Sequence, residues 1–477
     1  MNIYNTYSKK TEEFVPLVKP EVKLYTCGPT VYGYATIGNF ATFLMNDFLK
    51  RTLKYNDYTV THIMNITDIG HLTSDADEGE DKIVKKAREE NKTPEEIARY
   101  FEKQFMADFK KLNMDPAEAF PRATDHIKEM ISLIEKLIES GHAYEKNGNV
   151  YFDISTYKEY GNLSGNKESM LKEEVRDEIV SDSNKKNPRD FVLWFKAPKD
   201  HLMQWDSPWS KGYPGWHVEC SAMAEKYLGD EIDIHTGGED NIFPHHECEI
   251  AQSECAYGKP FARYWMHRRH ILVDGEKMSK SKGTVYTISD LEEKRFDPLL
   301  YRFFIFGTHY RSKAHFSFEN LEKSKRGLQR ITELIKKLQS ITNDRGTNLE
   351  AMALLNKSEN QFTEALNDDL NTPKALAVLY DLVRDVNSFI EQDKINKEEA
   401  EALLTLFRKF DLVLGVIFPY IEKSEKEIPN EIKNLAQERE EARKQKDFEK
   451  ADELRREIQE KGFDVKDTKK GPGIFVL

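Results

Sequence analysis

"VKLYTCGPTVYGYATIGNFATFLMNDFLKRTLKY", residues 22–55, decides the fold. Its first six residues read as a short buried strand that ends at Cys27, because the turn residues Gly28 and Pro29 follow. From Asn39 onward, Phe40, Phe43, Leu44 and Phe48 recur at helical spacing and share one face. "YTVTHIMN", residues 58–65, is again rich in β-formers. Strand, loop, helix and strand within about 45 residues make a βαβ unit. Ligands in such sheets bind beyond the carboxyl ends of the strands. Cys27 lies at such an end, and so does the loop carrying Thr36.

With 477 residues, the chain has room for about three domains. A hydrophobic fraction of 39% and an aromatic fraction of 11% supply real cores, and no segment is disordered by composition. The start, "MNIYNTYSKKTEEF", has no apolar signal core, and no apolar run approaches the roughly 20 residues of a membrane span. A cytoplasmic protein with no membrane partner is expected. The cysteines Cys27, Cys220, Cys248 and Cys255 do not make a disulfide framework in so long a chain. They are expected to be packing thiols or metal ligands. A net charge of −12 argues against an overall basic coat for nucleic acid, yet leaves room for a local basic face.

Residues 80–141 are charged and helical, and a mixed stretch with "NGNVYFDIS" and "FVLWFKA" follows. We read residues 116–214 as an insertion between two halves of a sheet domain, residues 1–115 and 215–314. In the second half, "EIDIHTGGED" is a strand entering a glycine turn, and "YWMHRRHILVDGEKMSKSKG" is a strand followed by a basic loop. From about residue 315, "FENLEKSKRGLQRITELIKKLQSI", "TPKALAVLYDLVRDVNSFI" and "KEEAEALLTLFRKFDLVLGVI" are three amphipathic segments, predicting an antiparallel bundle over 315–424. "FPYIEKSEKEIPN" reads as a linker. The tail, 425–477, pairs two charged helical segments and closes with a hairpin at "FDVKDTKKGPGIFVL".

Four constellations carry chemistry. In "HHECE", His245 and Glu249 stand at i and i+4, sharing a face if helical, and Cys220 ends another segment of the same half-domain. Imidazole, carboxylate and one or two thiolates form a zinc-type donor set. A helix-surface pair beside packing thiols has the same spacing. "KMSKS", residues 277–281, offers two lysines and two hydroxyls on a loop, suited to a charge clamp on triphosphate. A solvated basic loop is the plainer alternative. In "YATIGNF", Gly38 permits close backbone approach, and the following helix offers its N-terminal N–H groups to anions. In "HTGGED", Asp240 is placed to accept bonds from ribose hydroxyls, although a tight turn would look alike.

Taken together, these residues resemble the cysteinyl-tRNA synthetases, a family of class I aminoacyl-tRNA synthetases. The resemblance runs through "YTCGPTVYGYATIGN", "MNITDIG", "PRATDHI", "DFVLWFKA", "SPWSKGYPGWHVECSAM", "DIHTGGEDNIFPHHECEIAQS", "KMSKS", "DDLNTPKAL" and "KDFEKADELRREI". It implies a Rossmann-like parallel-sheet catalytic domain with an insertion. A helical bundle on the anticodon-stem side of the tRNA and a C-terminal anticodon-recognition domain would follow. It implies Zn²⁺ held by Cys27, Cys220, His245 and Glu249, and an amino-acid pocket with Thr67 and Trp216. Pro29, Thr30 and Ile37 fall in the class signature loop, with Thr36, Gly38 and Asn39 at the ATP phosphates. Asp240, Lys277 and Lys280 complete the ATP contacts, and Met278, Ser279 and Ser281 complete the KMSKS loop. The implied partners are L-cysteine, ATP with Mg²⁺, and tRNA(Cys); a monomer is expected.

The implied reaction joins the cysteine carboxylate to the α-phosphate of ATP, releases pyrophosphate, and passes the acyl group to the tRNA. Zinc would favour a thiolate over the hydroxyl of serine, without a second, hydrolytic site. The sequence departs from the family pattern at Thr36, where histidine is usual, at Thr236 in "HTGG", and at Cys248, commonly asparagine. Two rivals are a cysteine ligase acting on a small amine and a catalytically silent paralogue. The region from about residue 315 onward favours tRNA, and intact "KMSKS" favours catalysis.

Overall fold

Val22, Leu24 and Tyr25 are buried on the strand Glu21–Thr26 (β1), and the apolar residues of Thr59–Met64 (β2) continue the same layer. A computed structural model describes residues 1–69, 72–74, 78–165, 183–199, 201–273, 275–278, 283–344, 346, 348–426, 429–445, 447–461, 463–468 and 471–476. The chain divides into two units. The first comprises Met1–Pro298, Thr308–Phe316 and Asn367–Leu370; the second comprises Leu299–Gly307, Ser317–Leu366 and Asn371–Leu477.

In the first unit, helix Ile37–Tyr55 (α1) connects β1 to β2. Helix Trp216–Leu228 (α2) leads into strand Ile232–Gly238 (β3), and helix Glu247–Tyr257 (α3) leads into strand Ala262–Arg268 (β4). The four strands pair in parallel in the order β4-β3-β1-β2, with Leu24 registered against both Ile234 and His62. The chain leaves β1 toward one sheet edge through α1 and later fills the other side through β3. The crevice at the carboxyl ends of β1 and β3 is therefore the topological switch point.

The face predicted for α1 is buried: Phe40, Phe43, Leu44 and Phe48 all lie in the core. Phe40 stacks on Phe105 of the helix Pro94–Lys111, with ring centroids 5.7 Å apart, and Phe43 meets the same ring edge-on at 5.3 Å. Between β2 and α2 the chain also forms a four-stranded antiparallel sheet from Ala143–Lys146, Asn149–Phe152, Phe191–Lys196 and Gly212–Pro214. Two of its strands lie within the mixed stretch, in "NGNVYFDIS" and "FVLWFKA". After β4 come the short strands Ile271–Val273 (β5) and Glu276–Lys277 (β6), which pair antiparallel.

The second unit holds the helices Phe318–Gln339 (α4), Leu349–Asn367 (α5), Thr372–Glu391 (α6), Lys397–Leu414 (α7) and Ile417–Lys426 (α8). Two features differ from the sequence expectation. Helix α5 joins the three predicted segments, burying Ala351, Leu355, Phe362 and Leu366 at helical spacing inside a polar stretch. The stretch read as a linker forms α8 instead. Asp411 explains it: its carboxylate accepts the backbone N–H groups of Val416, Ile417 and Phe418, satisfying the donors that a helix start leaves open. The tail forms helices Asn430–Lys444 (α9) and Phe448–Glu460 (α10) and the antiparallel hairpin Phe463–Thr468 (β7) with Gly471–Val476 (β8). Among the described residues, no helix is long and apolar enough to cross a membrane.

Candidate metal centre and catalytic cavity

At the switch point, four segments deliver buried donor atoms. Cys27 follows the last residue of β1, and Cys220 lies within α2, inside a helix rather than at a segment end. His245 precedes α3 in an irregular turn where Phe243 is extended (φ −141°, ψ 133°), and Glu249 lies in the first turn of α3. Beyond that kink the backbone is helical, and the i, i+4 spacing keeps His245 and Glu249 together: His245 Nε2 is 2.7 Å from Glu249 Oε1. Cys220 Sγ is 3.6 Å from His245 Nε2, and Cys27 Sγ is 3.9 Å from Glu249 Oε1. One donor atom from each of the four lies within 4.8 Å of all the others.

A second group overlaps the first. Cys27 and Glu249 also meet His235 and His246, again with donor atoms within 4.8 Å. His235 Nε2 is 2.6 Å from Glu249 Oε2, and His246 Nε2 is 3.3 Å from Cys27 Sγ. Behind them, His246 Nδ1 contacts His267 Nε2 at 2.8 Å, and His217 Nδ1 contacts His245 Nδ1 at 3.0 Å. Gly237 is required here, because a Cβ would stand 2.8 Å from His246 Cε1. Cys248 points away from both groups and contacts the Tyr160 hydroxyl at 3.5 Å.

The electrostatics follow from burial and crowding. Burial alone would raise the Glu249 carboxyl, but the charges and hydrogen bonds of His235 and His245 outweigh it and hold it well below the ordinary range. The bonded Cys27 thiol, burial and Glu249 push the Cys220 thiol well above its ordinary value. Nearby, Glu219 is fully buried, and burial outweighs the neighbouring Thr67 hydroxyl and holds its carboxyl high.

Two adjoining cavities open beside this cluster. One, of about 530 Å³, is walled by Cys27, Thr67, Trp216, Cys220 and His245 among others. Trp216 stacks on His245 with centroids 4.5 Å apart. Thr67 is locked against the loop after β1: its N–H donates to Pro29 O at 3.0 Å, and it forms a bridge with Thr30. The other cavity, of about 220 Å³, is walled by Thr36, Gly38, Asn39, Asp240, Lys277 and Met278 among others. Asp240 accepts from Lys277 Nζ at 3.2 Å, and His270 Nε2 stands 3.1 Å from it. The hydrogen bond to His270 and the charges of His270 and Lys277 hold its carboxyl below the ordinary range. Ser279, Lys280 and Ser281 lie outside the described residues.

Thr36 is the N-cap of α1. Its Oγ1 accepts the Asn39 backbone N–H at 3.2 Å, its own N–H donates to Asn39 Oδ1 at 2.9 Å, and its hydroxyl lies 2.8 Å from the same oxygen. This reciprocal pair is a capping box. Buried Ile37 donates its N–H to Tyr286 O at 2.8 Å, and Thr36 bridges Thr287, so the loop is tied to the chain that follows "KMSKS".

Sequence reasoning left out His217, His235 and His267 as members of the cluster. Their signal was positional: His235 and His267 lie toward the carboxyl ends of adjacent parallel strands, registered with Tyr25 and Gly237.

The model of the class I (C) tRNA synthetase catalytic domain matches residues 13–326. A DALR domain model matches residues 361–418, and a cysteinyl-tRNA ligase anticodon binding domain model matches 425–472. The cysteine–tRNA ligase of Chlorobaculum tepidum is 43% identical, covering 99% of this chain and 98% of that protein. That of Thermus thermophilus is 42% identical over 98% of each chain. The cysteine–tRNA ligase of Clostridioides difficile is 40% identical over 99% of each. Among solved structures, Mycobacterium tuberculosis methionyl-tRNA synthetase in complex with methionyl-adenylate superposes with a TM-score of 0.59. It is 16% identical and covers 83% of this chain and 88% of that one, a likeness of fold.

Proposed function

The chain belongs to the cysteine–tRNA ligases, class I tRNA synthetases, and from that premise we propose how its side chains select cysteine and activate it. The enzyme forms cysteinyl-adenylate and pyrophosphate from L-cysteine and ATP, then transfers cysteine to tRNA(Cys). The match of the tail to an anticodon-binding domain supports tRNA, rather than a small amine, as the acceptor.

One observation carries the selection step: two buried thiols, an imidazole and a carboxylate converge beside an open cavity, and the thiols and the imidazole wall it. Two sulfurs, one nitrogen and one oxygen are the donor chemistry of zinc, whose bonds of about 2.0–2.3 Å set tetrahedral edges of roughly 3.3–3.8 Å. The Cys220–His245 and Cys27–Glu249 separations, 3.6 and 3.9 Å, lie near those edges, whereas His245 and Glu249, in direct contact at 2.7 Å, would part to share an ion. Of the two overlapping groups we assign Zn²⁺ to Cys27, Cys220, His245 and Glu249. Cys27, Cys220 and His245 wall the larger cavity, whereas His235 and His246 are fully buried and wall neither. A ligand site that must also receive a substrate thiol needs that opening. When bound, the ion supplies a position that takes a thiolate in preference to a hydroxyl.

The remaining work falls to the chain. Trp216 and Thr67 wall the amino-acid pocket. Asn39 and the N-terminus of α1 hold ATP phosphate oxygens, Asp240 accepts from ribose, and Lys277 with Lys280 stabilises the charge that develops as pyrophosphate leaves. Mg²⁺ enters with ATP. Thr36 acts through Asn39, whose side-chain oxygen it fixes. Four free cysteines suit a reducing cytoplasm.

Elemental analysis together with ATP–pyrophosphate exchange tests the assignment. About one zinc per chain and exchange with cysteine far above serine are expected. A zinc-free protein with full cysteine exchange, or comparable exchange with serine, would overturn it.

A further inference from the structure

Two tyrosines stand exposed at the rim of the larger cavity. Tyr34 is 50% and Tyr100 is 44% exposed, yet their hydroxyls bond each other at 2.8 Å, so the rings hold one another in place although water is at hand. Both rings stand edge-to-face on Phe101, at 5.2 and 5.1 Å, and Phe101 is itself buried. Three aromatic rings thus form a half-exposed ledge, beside which Lys92 pairs with Glu90 at 2.7 Å. Tyr34 lies on the cavity wall and Tyr100 does not, so the ledge runs from the cavity outward. Lys92 Nζ stands 5.7 Å from the Tyr100 ring, and Lys82 Nζ stands 5.5 Å from the ring of Tyr32 on the same wall.

We propose that Tyr34 and Tyr100 are a stacking platform for an unpaired nucleotide at the 3′ end of the tRNA, with Lys82 and Lys92 facing its phosphates. The proposal rests on the tRNA-charging reading above. Acyl transfer brings the terminal ribose into the cavity, so the unpaired bases next to it must cross this rim. Single-stranded RNA is held by aromatic faces flanked by lysines, because every base presents a π-face and every linkage a charge. A ledge that binds any base is enough here, since position and not sequence is what the cavity mouth requires.

Tyr100 provides the test, since it lies off the cavity wall. Charging of tRNA(Cys) by Tyr100→Ala should lose roughly 5- to 100-fold in kcat/KM, the scale of one base–aromatic stack, while cysteine-dependent pyrophosphate exchange stays within about twofold. Tyr34→Phe and Tyr100→Phe keep the rings and should retain most charging. Removing the unpaired 3′ nucleotides from a tRNA(Cys) transcript should weaken binding to the parent but weaken binding to Tyr100→Ala much less. Three outcomes would overturn the platform. They are unchanged charging by Tyr100→Ala, an equal fall in exchange, or an equal penalty for the shortened transcript in variant and parent. If the parent itself does not charge tRNA(Cys), the ligase reading fails instead, and the two failures are distinct.

Discussion

The methyl end of Met278 occupies the space that a side chain on Gly38 would need: a Cβ there would stand 2.2 Å from Met278 Cε. The first helical turn after the signature loop and the start of "KMSKS" are therefore fitted to each other through a missing side chain. Gly38→Ala should cost little stability, since the obstructing atom ends a flexible side chain. It should slow cysteine-dependent exchange about three- to thirtyfold by displacing Met278. Adding Met278→Ala should recover part of the rate. Exchange kinetics on the two single variants and the double variant check this, and additive losses would show that the two residues do not act on each other.

Thr36 makes a different prediction. Losing an N-cap costs about 1 kcal/mol, and Thr36→Ala should lower the melting temperature accordingly. If Thr36 works by fixing Asn39, Thr36→Ala should slow adenylation by roughly ten- to a thousandfold. The variant pair Thr36→Ala with Asn39→Ala should then be no slower than Asn39→Ala alone. Thr36→Ser keeps the cap oxygen and should be close to the parent. A parental exchange rate in Thr36→Ala would reduce Thr36 to a cap alone.

His62 sets an acid limit on the first unit. It is buried on β2 with Nε2 2.9 Å from Thr26 Oγ1, and burial with the nearby Lys50 charge pushes its pKa down from 6.5 to about 3. The unfolded chain binds the proton that the folded chain refuses. The stability held above pH 6.5 is therefore lost as the pH falls toward 3, by an amount on the order of 4 kcal/mol. Denaturant melts of the parent between pH 7 and pH 4 should show this loss, and His62→Gln should flatten the slope. Parallel pH profiles would exclude His62 as the cause.

Removing the residues after Ser424 deletes α9, α10 and the hairpin, the region matched by the anticodon-binding domain model. Arg439, Arg443, Lys444, Arg455 and Arg456 go with it, as does Lys446, which lies outside the described residues. Pyrophosphate exchange should persist near the parental rate while charging of tRNA(Cys) falls by more than about tenfold. Equal loss of both activities would count against this division of labour.

The βαβ unit was legible because its signals are local. Strand, turn and helix in residues 22–55 each follow from neighbouring residues, and β1 and α1 lie where their apolar patterns place them. The convergence of Cys27, Cys220, His245 and Glu249 was reachable only through family resemblance, since no periodicity relates segments so distant in the chain. The histidine cluster was hidden for a related reason. His235 and His267 meet His246 because β3 and β4 run out, and α3 begins, on the same side of the sheet, a property of strand order rather than of any window of sequence. Helix α8 was misread because its start is capped by Asp411, several residues upstream, and not by a residue at its own N-terminus. Thr36 looked like a defective catalytic residue in sequence, and in the structure it caps a helix.

Glu249 follows Cys27 by 222 residues. At the roughly 5–20 residues per second of protein synthesis, Cys27 is made roughly 10 to 45 seconds before the last of its three partners. For that interval it is an ordinary solvated thiol on an unfinished sheet, open to oxidants that the closed crevice later excludes. A chain whose Cys27 is oxidised in that interval would finish with three of the four donors.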